Sequence, residues 1–413
     1  MFEDVVRFLR NQKKNFKLMI VRDFLILSSG RRSQVRSQVG GYESLFLKRL
    51  GASPLEIGLL NSLMSLINVL FSVPVGWFTD RIKNMKNTYI ASLGLGLFNY
   101  LGLALTQNRL VFLMINVWRT ITEGLNIPAK TIVDIDSLSN TTRVTGLSIH
   151  RTVTAVGGIV GPMIAAYILT YFGGLGSADS FRPLFLYQFV INIVVFLILW
   201  RGLDDVLFDR DEEKAGLLSS FYAIFQGSPA LLVFFARDIS QSFVGLMSGP
   251  FLGIYQVDVK IATAFIIGYM GASEMIVDVV LSVPMGRVIS RFGRRKIAYL
   301  GHLVGLLARC ILFLTPQSHP ELLILYSLLG SVEGCMYLGW DAFSQEVVPQ
   351  DVRGKYVGIR TVVVGVIGVF APLLGGILWN LNPDYLWWIN ALHWAFVAFP
   401  LMVLLMEKYA EST

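Results

Sequence analysis

Charged side chains interrupt several long apolar stretches of this sequence, where an ionised group needs a partner, water or a function because its burial is costly. Arg119 and Glu123 stand four residues apart, so a helix places them on one face, where they can neutralise one another. Glu333 lacks such a neighbour, because Leu329 occupies the position four residues before it. A carboxyl group without a partner favours its neutral form in a medium of low dielectric, and this suits a proton carrier.

Other acidic residues extend this pattern. Glu274 and Asp278 are also four residues apart and would form a like-charge pair that holds one proton between them. Taken singly, each acid could equally be a buried, hydrogen-bonded structural residue. Taken together, the acids favour proton coupling. The residues that we expect to take part are Glu123, Arg119, Glu333, Glu274, Asp278 and Asp238, the last of which follows Arg237.

A four-residue tandem, "RSQVRSQV", occupies residues 32–39. Four residues is close to one helical turn, so Arg32 and Arg36 stack on one face, with Arg31 about 100° around the helix. No lipid-facing helix could carry these arginines. One interpretation is an anion site, since arginine binds carboxylates and phosphates through paired hydrogen bonds. The other is that the arginines are counter-ions for acids such as Glu43. The residues assigned to the anion site are Arg31, Arg32, Arg36 and Gln34.

The composition predicts lipid as the solvent of this chain. Its 413 residues are 54% hydrophobic and 15% charged, with a mean hydropathy of +0.60, whereas soluble domains contain about 25% charged residues. Apolar runs near the ~20 residues that cross a hydrocarbon layer recur throughout. They lack the alternation of a membrane barrel, and backbone groups in lipid must be satisfied within the segment. The prediction is an all-α polytopic membrane protein.

The apolar runs divide into twelve predicted transmembrane spans. A long polar stretch, "RGLDDVLFDRDEEKAGLLSS", separates the sixth from the seventh. We therefore expect an N-terminal six-helix bundle (1–201), a cytoplasmic linker (202–220) and a C-terminal six-helix bundle (221–413). The predicted spans are roughly 20–47, 55–78, 88–106, 110–134, 144–172, 183–201, 228–257, 263–287, 296–315, 320–344, 355–380 and 385–406.

An internal repeat supports this division. At a constant shift of 210 residues, "SVPVGWFTDR" at 72–81 meets "SVPMGRVISR" at 282–291, and Glu123 meets Glu333. Further matched pairs are Gly58 with Gly268, Arg143 with Arg353, and Pro162 with Pro372. Two pseudo-symmetric halves with a site between them near mid-membrane are typical of transporters.

The basic residues predict the orientation. Loops at 79–87 and 290–296 are rich in Lys and Arg, whereas the alternate turns near 106–109, 173–183 and 316–321 are poor in them. Cytoplasmic loops carry such an excess, so both termini are expected in the cytoplasm and the protein in the plasma or inner membrane of its cell. The position of the basic residues therefore explains the net charge of +7 without a nucleic-acid partner. The basic, polar start also lacks the features of a secretory signal peptide.

The sequence resembles the major facilitator superfamily over essentially its whole length. "GWFTDRIKNMK" at 76–86 is similar to the loop signature of that family, and the second copy, at 286–296, has Ser290 where the acid would stand. "GGIVGP" at 157–162 resembles a signature frequent in exporters, and "WRTITEG" at 118–124 resembles one with a membrane-embedded arginine. The resemblance implies twelve helices in two bundles that rock about a central cavity.

The loop after the second span stabilises cytoplasmic closure in the resembled family, through an ion pair that breaks on opening. The resemblance therefore implies a cytoplasmic gate that contains Gly76, Asp80, Arg81, Gly286 and Arg291. The alternative is that the basic residues only set the orientation.

Small residues and prolines concentrate in spans 5 and 11. They permit close helix approach and local bending, so we expect these spans to be the close-packed, mobile pair, although tight packing alone would explain any single glycine. The residues concerned are Gly157, Gly161, Pro162, Gly368 and Pro372.

Aromatic residues of the expected cavity helices would suit a partly apolar organic molecule, or would simply be packing residues. They are Tyr42, Trp118, Tyr255, Tyr337 and Trp340. His150, His302 and His393 show no metal-ligand spacing, and Cys310 and Cys335 form neither a disulfide framework nor a metal cluster. No phosphate loop or nucleophile elbow is present. We therefore expect no metal, no cofactor and no enzymatic activity.

These observations lead to one main hypothesis. The protein is expected to be a monomeric, proton-coupled secondary transporter of a small organic solute, with export as an antiporter of the efflux type favoured. Its partners would be the solute, protons and the lipid bilayer. Two alternatives stay open: proton-coupled uptake or exchange of an organic anion, and a non-transporting membrane receptor on the same fold.

Overall fold

The computed structural model describes residues 8, 10, 12–30, 38–39, 41–81, 84–138, 143–206, 229–348 and 353–409. Within these ranges the side chains of 72–73, 76–81, 143–144, 345, 354–355 and 409 are not described. The predicted anion-site residues Arg31, Arg32, Gln34 and Arg36 therefore lie outside the described residues, as does the linker from 207 onward. The predicted gate residues Gly76, Asp80 and Arg81 belong to a helix whose side chains there are not described.

The described chain is almost entirely helical. Its first half contains α1 (Lys14–Ser28), α2 (Tyr42–Arg49), α3 (Pro54–Arg81), α4 (Met85–Leu105), α5 (Arg109–Asp136), α6 (Arg143–Tyr171) and α7 (Arg182–Gly202). Its second half contains α8 (Pro229–Ser248), α9 (Ala264–Phe292), α10 (Arg294–Leu314), α11 (Leu322–Met336), α12 (Leu338–Val347), α13 (Arg353–Leu381), α14 (Tyr385–His393) and α15 (Phe399–Tyr409). Tighter or wider helical turns extend α8 to Val259 and join α14 to α15.

Nine helical segments of the described chain are long and apolar enough to cross a membrane. They are α3, α4, α6, α7, α8 with its extension, α9, α10, α13, and α14 with α15. A tenth counts if α11 and α12, which meet at a bend of 42°, form one span. α5 is as long as α3 but is interrupted by charged residues, and the first predicted span is divided between α1 and α2. The chain is a multi-pass membrane protein, and the number twelve stays a prediction.

Polar caps fix where several helices begin. Asn84, Asn108 and Thr263 each accept a hydrogen bond from the backbone N–H three residues later, which satisfies a donor that the first helical turn leaves free. Gly293 separates α9 from α10 with a φ of 87°, a conformation that favours glycine.

Successive long helices run in opposite directions, so the turns of the chain collect at two ends. We call the end that contains residues 50–53, 172–181, 260–263 and 382–384 the far end, and the end where α1 begins the N-terminal end. Side chains tie the far-end turns together, since Arg49 Nε donates to the Leu175 carbonyl at 2.7 Å.

The most extensive contacts between the two halves are those of α3 with α13 and of α6 with α9. Glycine makes them possible: a Cβ atom on Gly58 would lie 2.4 Å from the Pro372 carbonyl oxygen, and one on Gly268 would lie 3.0 Å from that of Pro162. The two helices of spans 5 and 11 make their chief contacts elsewhere, α6 on α9 and α1, and α13 on α3 and α8, and their predicted mobility stays a prediction. Each is close-packed against other helices, where complementary small residues meet backbone.

Candidate functional site

The first polar cluster surrounds Arg119, which is 9% exposed. Its Nε lies 3.0 Å from Glu123 Oε1 on the same helix, and its Nη1 lies 2.5 Å from Glu43 Oε1 in the first turn of α2. The four-residue spacing thus gives the ion pair that the sequence suggested. Arg119 is therefore neutralised by two carboxylates, and it joins α5 to α2.

The second polar cluster surrounds Glu333, which the sequence analysis left without a partner. That expectation was wrong, since Arg309 Nη1 of α10 lies 3.0 Å from Glu333 Oε2 of α11. Arg309 also donates from Nε to Asn390 Oδ1 at 3.0 Å, and its guanidinium lies 3.7 Å from the centre of the Trp394 ring. Because Glu333 is buried, this charge-assisted hydrogen bond offsets the cost of removing both groups from water.

The two clusters are related by the repeat, with one exchange. Glu123 and Glu333 occupy equivalent positions at the 210-residue shift. The position of Arg119 is taken by Leu329 in the second half, whereas the position of Arg309 is taken by Asn99 in the first. Each half therefore pairs its glutamate with one arginine, which is buried and comes from the same helix in the first half, and is partly buried and comes from a neighbouring helix in the second.

Each half also contains a contact between an aspartate and a basic side chain near its polar cluster. In the first half, Asp23 Oδ2 contacts His150 Nε2 at 3.0 Å and Lys130 Nζ at 3.3 Å. In the second half, Asp238 accepts two hydrogen bonds from Arg360, one from Nε to Oδ2 and one from Nη2 to Oδ1 at 3.2 Å. His150 and Arg360 are equivalent at the 210-residue shift. His150 is therefore a hydrogen-bond partner of Asp23 rather than a plain packing residue.

The two acids of the proposed like-charge pair on α9, Glu274 and Asp278, lie in different surroundings. Glu274 is buried, and its Oε1 accepts the backbone N–H of Gln38 at 2.7 Å and the Ser327 hydroxyl at 3.3 Å. Asp278 is exposed and accepts a weak hydrogen bond from the thiol of Cys335 at 3.8 Å. Glu274 thus binds the first half to the second.

Two cavities open beside these groups. The first, about 490 Å³, lies in the first half beside Arg119, Glu123 and Asp23. The second, about 660 Å³, lies in the second half beside Arg309, Glu333 and Asp238 and extends to Gln38. We call them the first-half and second-half cavities. Both are of the size that holds small organic ligands in proteins.

The predicted aromatic cavity residues divide into three groups. Tyr337 and Trp340 line the second-half cavity. Tyr42 and Tyr255 are buried core residues near the far end. The ring centre of Tyr255 lies 5.0 Å from that of Trp387, and its hydroxyl donates to Asp384 Oδ1 at 2.5 Å. Trp118 is 41% exposed on α5 and lines neither described cavity. Its side chain faces away from Arg119 because adjacent helical residues point about 100° apart.

Charge pairs across the halves occur at the far end. Asp258 in the second half contacts Lys48 Nζ at 2.6 Å and Arg49 Nη2 at 2.5 Å in the first half. At the N-terminal end, the ion pairs that the structure describes stay within one half, as in Lys86–Asp205 and Arg294–Glu346. Arg291, a predicted gate residue, is exposed and lies over its neighbour Phe292. A Cβ atom on Gly286 would meet nothing within 4 Å.

Over the described part of the chain, no three His, Cys, Asp or Glu side chains are grouped so that they could hold a metal ion.

A comparison with protein families gives a match to the family described as Major Facilitator Superfamily, over residues 38–272 and 230–413. The chain belongs to the Major Facilitator Superfamily. The match covers both halves, and it identifies the chain as a multi-pass membrane transporter.

Relatives of this superfamily member carry names of the same kind. An uncharacterized MFS-type transporter of Methanocaldococcus jannaschii is 21% identical over 350 residues, which are 82% of this chain and 83% of the relative. An uncharacterized MFS-type transporter of Mycobacterium tuberculosis is 34% identical over 124 residues, 30% of this chain and 17% of the relative.

Solved transporters share the fold of this chain. The nucleoside transporter NupG has a TM-score of 0.71 at 15% identity, with 96% of this chain and 100% of that chain covered. A bacterial homologue of the human lysosomal transporter Spinster, in an inward-facing and unoccupied conformation, has a TM-score of 0.65 at 16% identity, with 96% and 89% covered. At such identities the likeness concerns the fold alone.

Three residues of this transporter's polar clusters escaped the sequence analysis. Arg309 stands alone in the apolar run "LVGLLARCILFL", and a buried charge in such a run indicates a partner on another helix. Arg360 and Lys130 gave a similar but weaker signal. The repeat itself indicated Arg360, because the shift of 210 residues places it at the position of His150.

Proposed function

We propose that this protein is a proton-coupled secondary transporter that moves a small organic solute by alternating access between its two halves, residues 1–201 and 221–413. One observation carries the proposal. Each half holds a glutamate at the equivalent position of the repeat, Glu123 or Glu333, ion-paired beside a cavity to an arginine that is buried in the first half and partly buried in the second.

Such a pair can couple the binding of a proton to the binding of a solute. While Glu333 is ionised it neutralises Arg309, and protonation of Glu333 removes that attraction. The released guanidinium then needs another acceptor, because an unpaired buried charge is costly. An anionic or strongly accepting group of a solute can supply it. Glu123 and Arg119 would act in the same way, with Glu43 as an additional carboxylate.

The contacts between the halves support the alternating-access part of the proposal. Asp258 joins the halves at the far end, and the close approach of Gly58 to Pro372 lies near the same end. If the basic loops mark the cytoplasmic side, both termini are cytoplasmic and the closed far end is the outer side. A solute would then enter this conformation from the cytoplasm.

For direction, we propose export coupled to inward proton movement. The exporter-like "GGIVGP" stretch and Ser290 in the second loop copy favour it. Uptake or exchange of an organic anion is the second candidate, and two features favour it. Protonation of Glu333 would promote binding of an anion, so the proton and the anion would move in the same direction. The arginines and lysines that line the cavities also outnumber the carboxylates, four to two in the first-half cavity and four to three in the second. Flux measured in both directions across vesicles of known orientation separates the two candidates. We also propose a monomer in the plasma or inner membrane as the working form.

The test begins with a ligand screen by thermal shift on the full chain at two pH values, because a bound ligand stabilises the fold and its pH dependence reports coupled protonation. The solute found is then transported in proteoliposomes with an imposed pH gradient. We expect Glu123→Gln and Glu333→Gln to lose gradient-driven transport but to keep solute exchange.

Glu346→Gln is the matched control, because Glu346 pairs with Arg294 outside the polar clusters. Gradient-driven transport that persists in both cluster variants would remove the glutamates from the proton path. Binding without any flux, for charged and neutral solutes alike, would favour the receptor hypothesis.

A further inference from the structure

We infer that the second-half cavity is the binding site for a planar, ring-containing organic anion that also carries a hydrogen-bond donor. The inference rests on the proposed transport function and names the chemical class of its solute. Three observations carry it: a buried arginine that makes no ion pair with a carboxylate of the described residues, two buried polar atoms that make no hydrogen bond to those residues, and an aromatic wall.

Arg237 supplies the positive charge. It is 6% exposed, and its Nε donates to the Ala398 carbonyl at 3.1 Å. Its guanidinium lies 4.2 Å from the centre of the Trp340 ring. Arg309 and Arg360 in the same cavity have carboxylate partners, whereas the described ion pairs give Arg237 none. An anionic group of a ligand would neutralise it and offset the cost of its burial.

Two polar atoms of the same cavity lack partners. The side-chain oxygen of Gln241 and the hydroxyl of Tyr356 are buried and make no hydrogen bond to the described residues. A buried polar atom left unpaired costs about 1–3 kcal/mol. Gln241 lies one helical turn after Arg237 on α8, so both face the same side of that helix. An amide oxygen accepts only, and the ligand therefore needs an N–H or O–H group.

An aromatic wall surrounds these groups. Phe234 lies 6.0 Å from Trp340 and 5.9 Å from Tyr356, between ring centres. All three line the cavity together with Tyr337 and Trp394. Such a wall favours a flat ring that packs face-on or edge-on against it.

The first-half cavity shares the unpaired polar atoms, since Arg22 Nε and Asn99 Oδ1 are buried there without hydrogen bonds to the described residues, but it differs in the other two features. Tyr100 is the sole Phe, Trp or Tyr among the described residues that line it. Lys130 stands at the position equivalent to Trp340, and Arg22 pairs with Asp23. If the second-half features were needed only to hold a bundle together, the first half would need them too. The asymmetry therefore points to a ligand.

Four probes separate the required chemical features. Indole-3-carboxylate has the ring, the negative charge and a ring N–H. Indole-3-carboxamide lacks the charge, and 1-methylindole-3-carboxylate lacks the ring N–H. Cyclohexanecarboxylate lacks both the ring N–H and the flat ring, so its comparison with 1-methylindole-3-carboxylate isolates the flat ring. Binding to the purified full chain is measured by calorimetry. We expect saturable binding of indole-3-carboxylate and at least ~10-fold weaker binding of each other probe, as the loss of one good contact predicts. Equal affinities, or no binding of indole-3-carboxylate, would overturn the inference.

Variants locate the binding. Gln241→Met should abolish the preference for indole-3-carboxylate over its 1-methyl form, and Tyr356→Phe should weaken binding of both. Arg237→Lys keeps the charge but loses the planar contact with Trp340, so affinity should fall. Tyr89→Phe is the matched control, because the buried Tyr89 hydroxyl also makes no hydrogen bond to the described residues but Tyr89 lines neither cavity.

The experiment distinguishes this inference from the transport proposal. If the ranking of the probes holds and gradient-driven flux is absent, the binding site stands and coupled transport fails. If flux of other solutes is coupled to protons while Gln241→Met and Tyr356→Phe leave the ranking unchanged, the inference is wrong and transport stands. Thermal stability close to that of the parent chain shows that each variant is folded.

Discussion

The ion pair between Arg309 and Glu333 depends on a residue without a side chain. A Cβ atom on Gly305 would lie 2.4 Å from the carboxyl group of Glu333, and the Gly305 carbonyl accepts a hydrogen bond from Arg309 at 2.8 Å. The glycine thus makes room for the carboxylate and also helps to hold the guanidinium.

At this residue scale, Gly305→Ala should displace the Glu333 carboxyl group from Arg309. The Glu333 side chain can move, so we expect only a small fall in the melting temperature but a loss of gradient-driven transport similar to that of Glu333→Gln. The measurement is proton-driven flux in proteoliposomes. Gly334→Ala is the control, because it lines the same cavity and a Cβ atom there would meet nothing within 4 Å. Equal flux in both variants would contradict the prediction.

The sequence predicts ionic contacts within one helix better than contacts between helices. Arg119 and Glu123 could be paired from their spacing, because four residues is one turn of a helix. Arg309 and Glu333 could not, because they are 24 residues apart and meet only through the packing of α10 on α11. The repeat partly closes this gap, since the shift of 210 residues relates His150, the partner of Asp23, to Arg360, the partner of Asp238.

Among whole helices, the packing of α6 on α1 is limited by Gly161. A Cβ atom at this position would lie 2.0 Å from the Leu27 carbonyl oxygen, which is backbone and cannot rotate away. Gly161→Ala should therefore force the two helices apart and destabilise the fold by about 1–3 kcal/mol, as overpacking of a close contact does.

The measurement for Gly161→Ala is the melting temperature of the purified chain in detergent. Gly245→Ala provides the control, because Gly245 lies within α8 and a Cβ atom there would meet nothing within 4 Å. Alanine favours helices over glycine, so the control should melt at the same temperature or higher. A Gly161 variant as stable as the control would mean that α6 and α1 can separate at little cost.

Helix positions could be predicted from apolar runs, but helix breaks could not. Residues 320–344 read as one span, whereas the structure bends by 42° between α11 and α12. The bend lies at Tyr337, whose hydroxyl is 2.7 Å from Nδ1 of the buried His302 on α10. A contact between helices that are distant along the chain leaves no periodic signal in the sequence.

For the molecule as a whole, the contacts of Asp258 with Lys48 and Arg49 hold the two halves together at the far end. The three side chains are 17–25% exposed, so solvent screens their attraction less than that of a surface pair, which is worth about 0–1 kcal/mol. A change of about 1.4 kcal/mol in the balance between closed and open conformations changes their ratio tenfold. Loss of the far-end pairs should therefore be visible as a shift of population.

Asp258→Asn should open the far end. Spin labels at Ser177→Cys and Ser318→Cys, which are exposed at that end in opposite halves, report the separation when Cys310 and Cys335 are replaced. We expect a longer distance to gain population in Asp258→Asn and in Arg49→Gln. Asp179→Asn is the control, because Asp179 pairs with Arg182 at the same end but within one half. An unchanged distance distribution in Asp258→Asn would show that helix packing alone, through Gly58 and Gly268, keeps the far end closed.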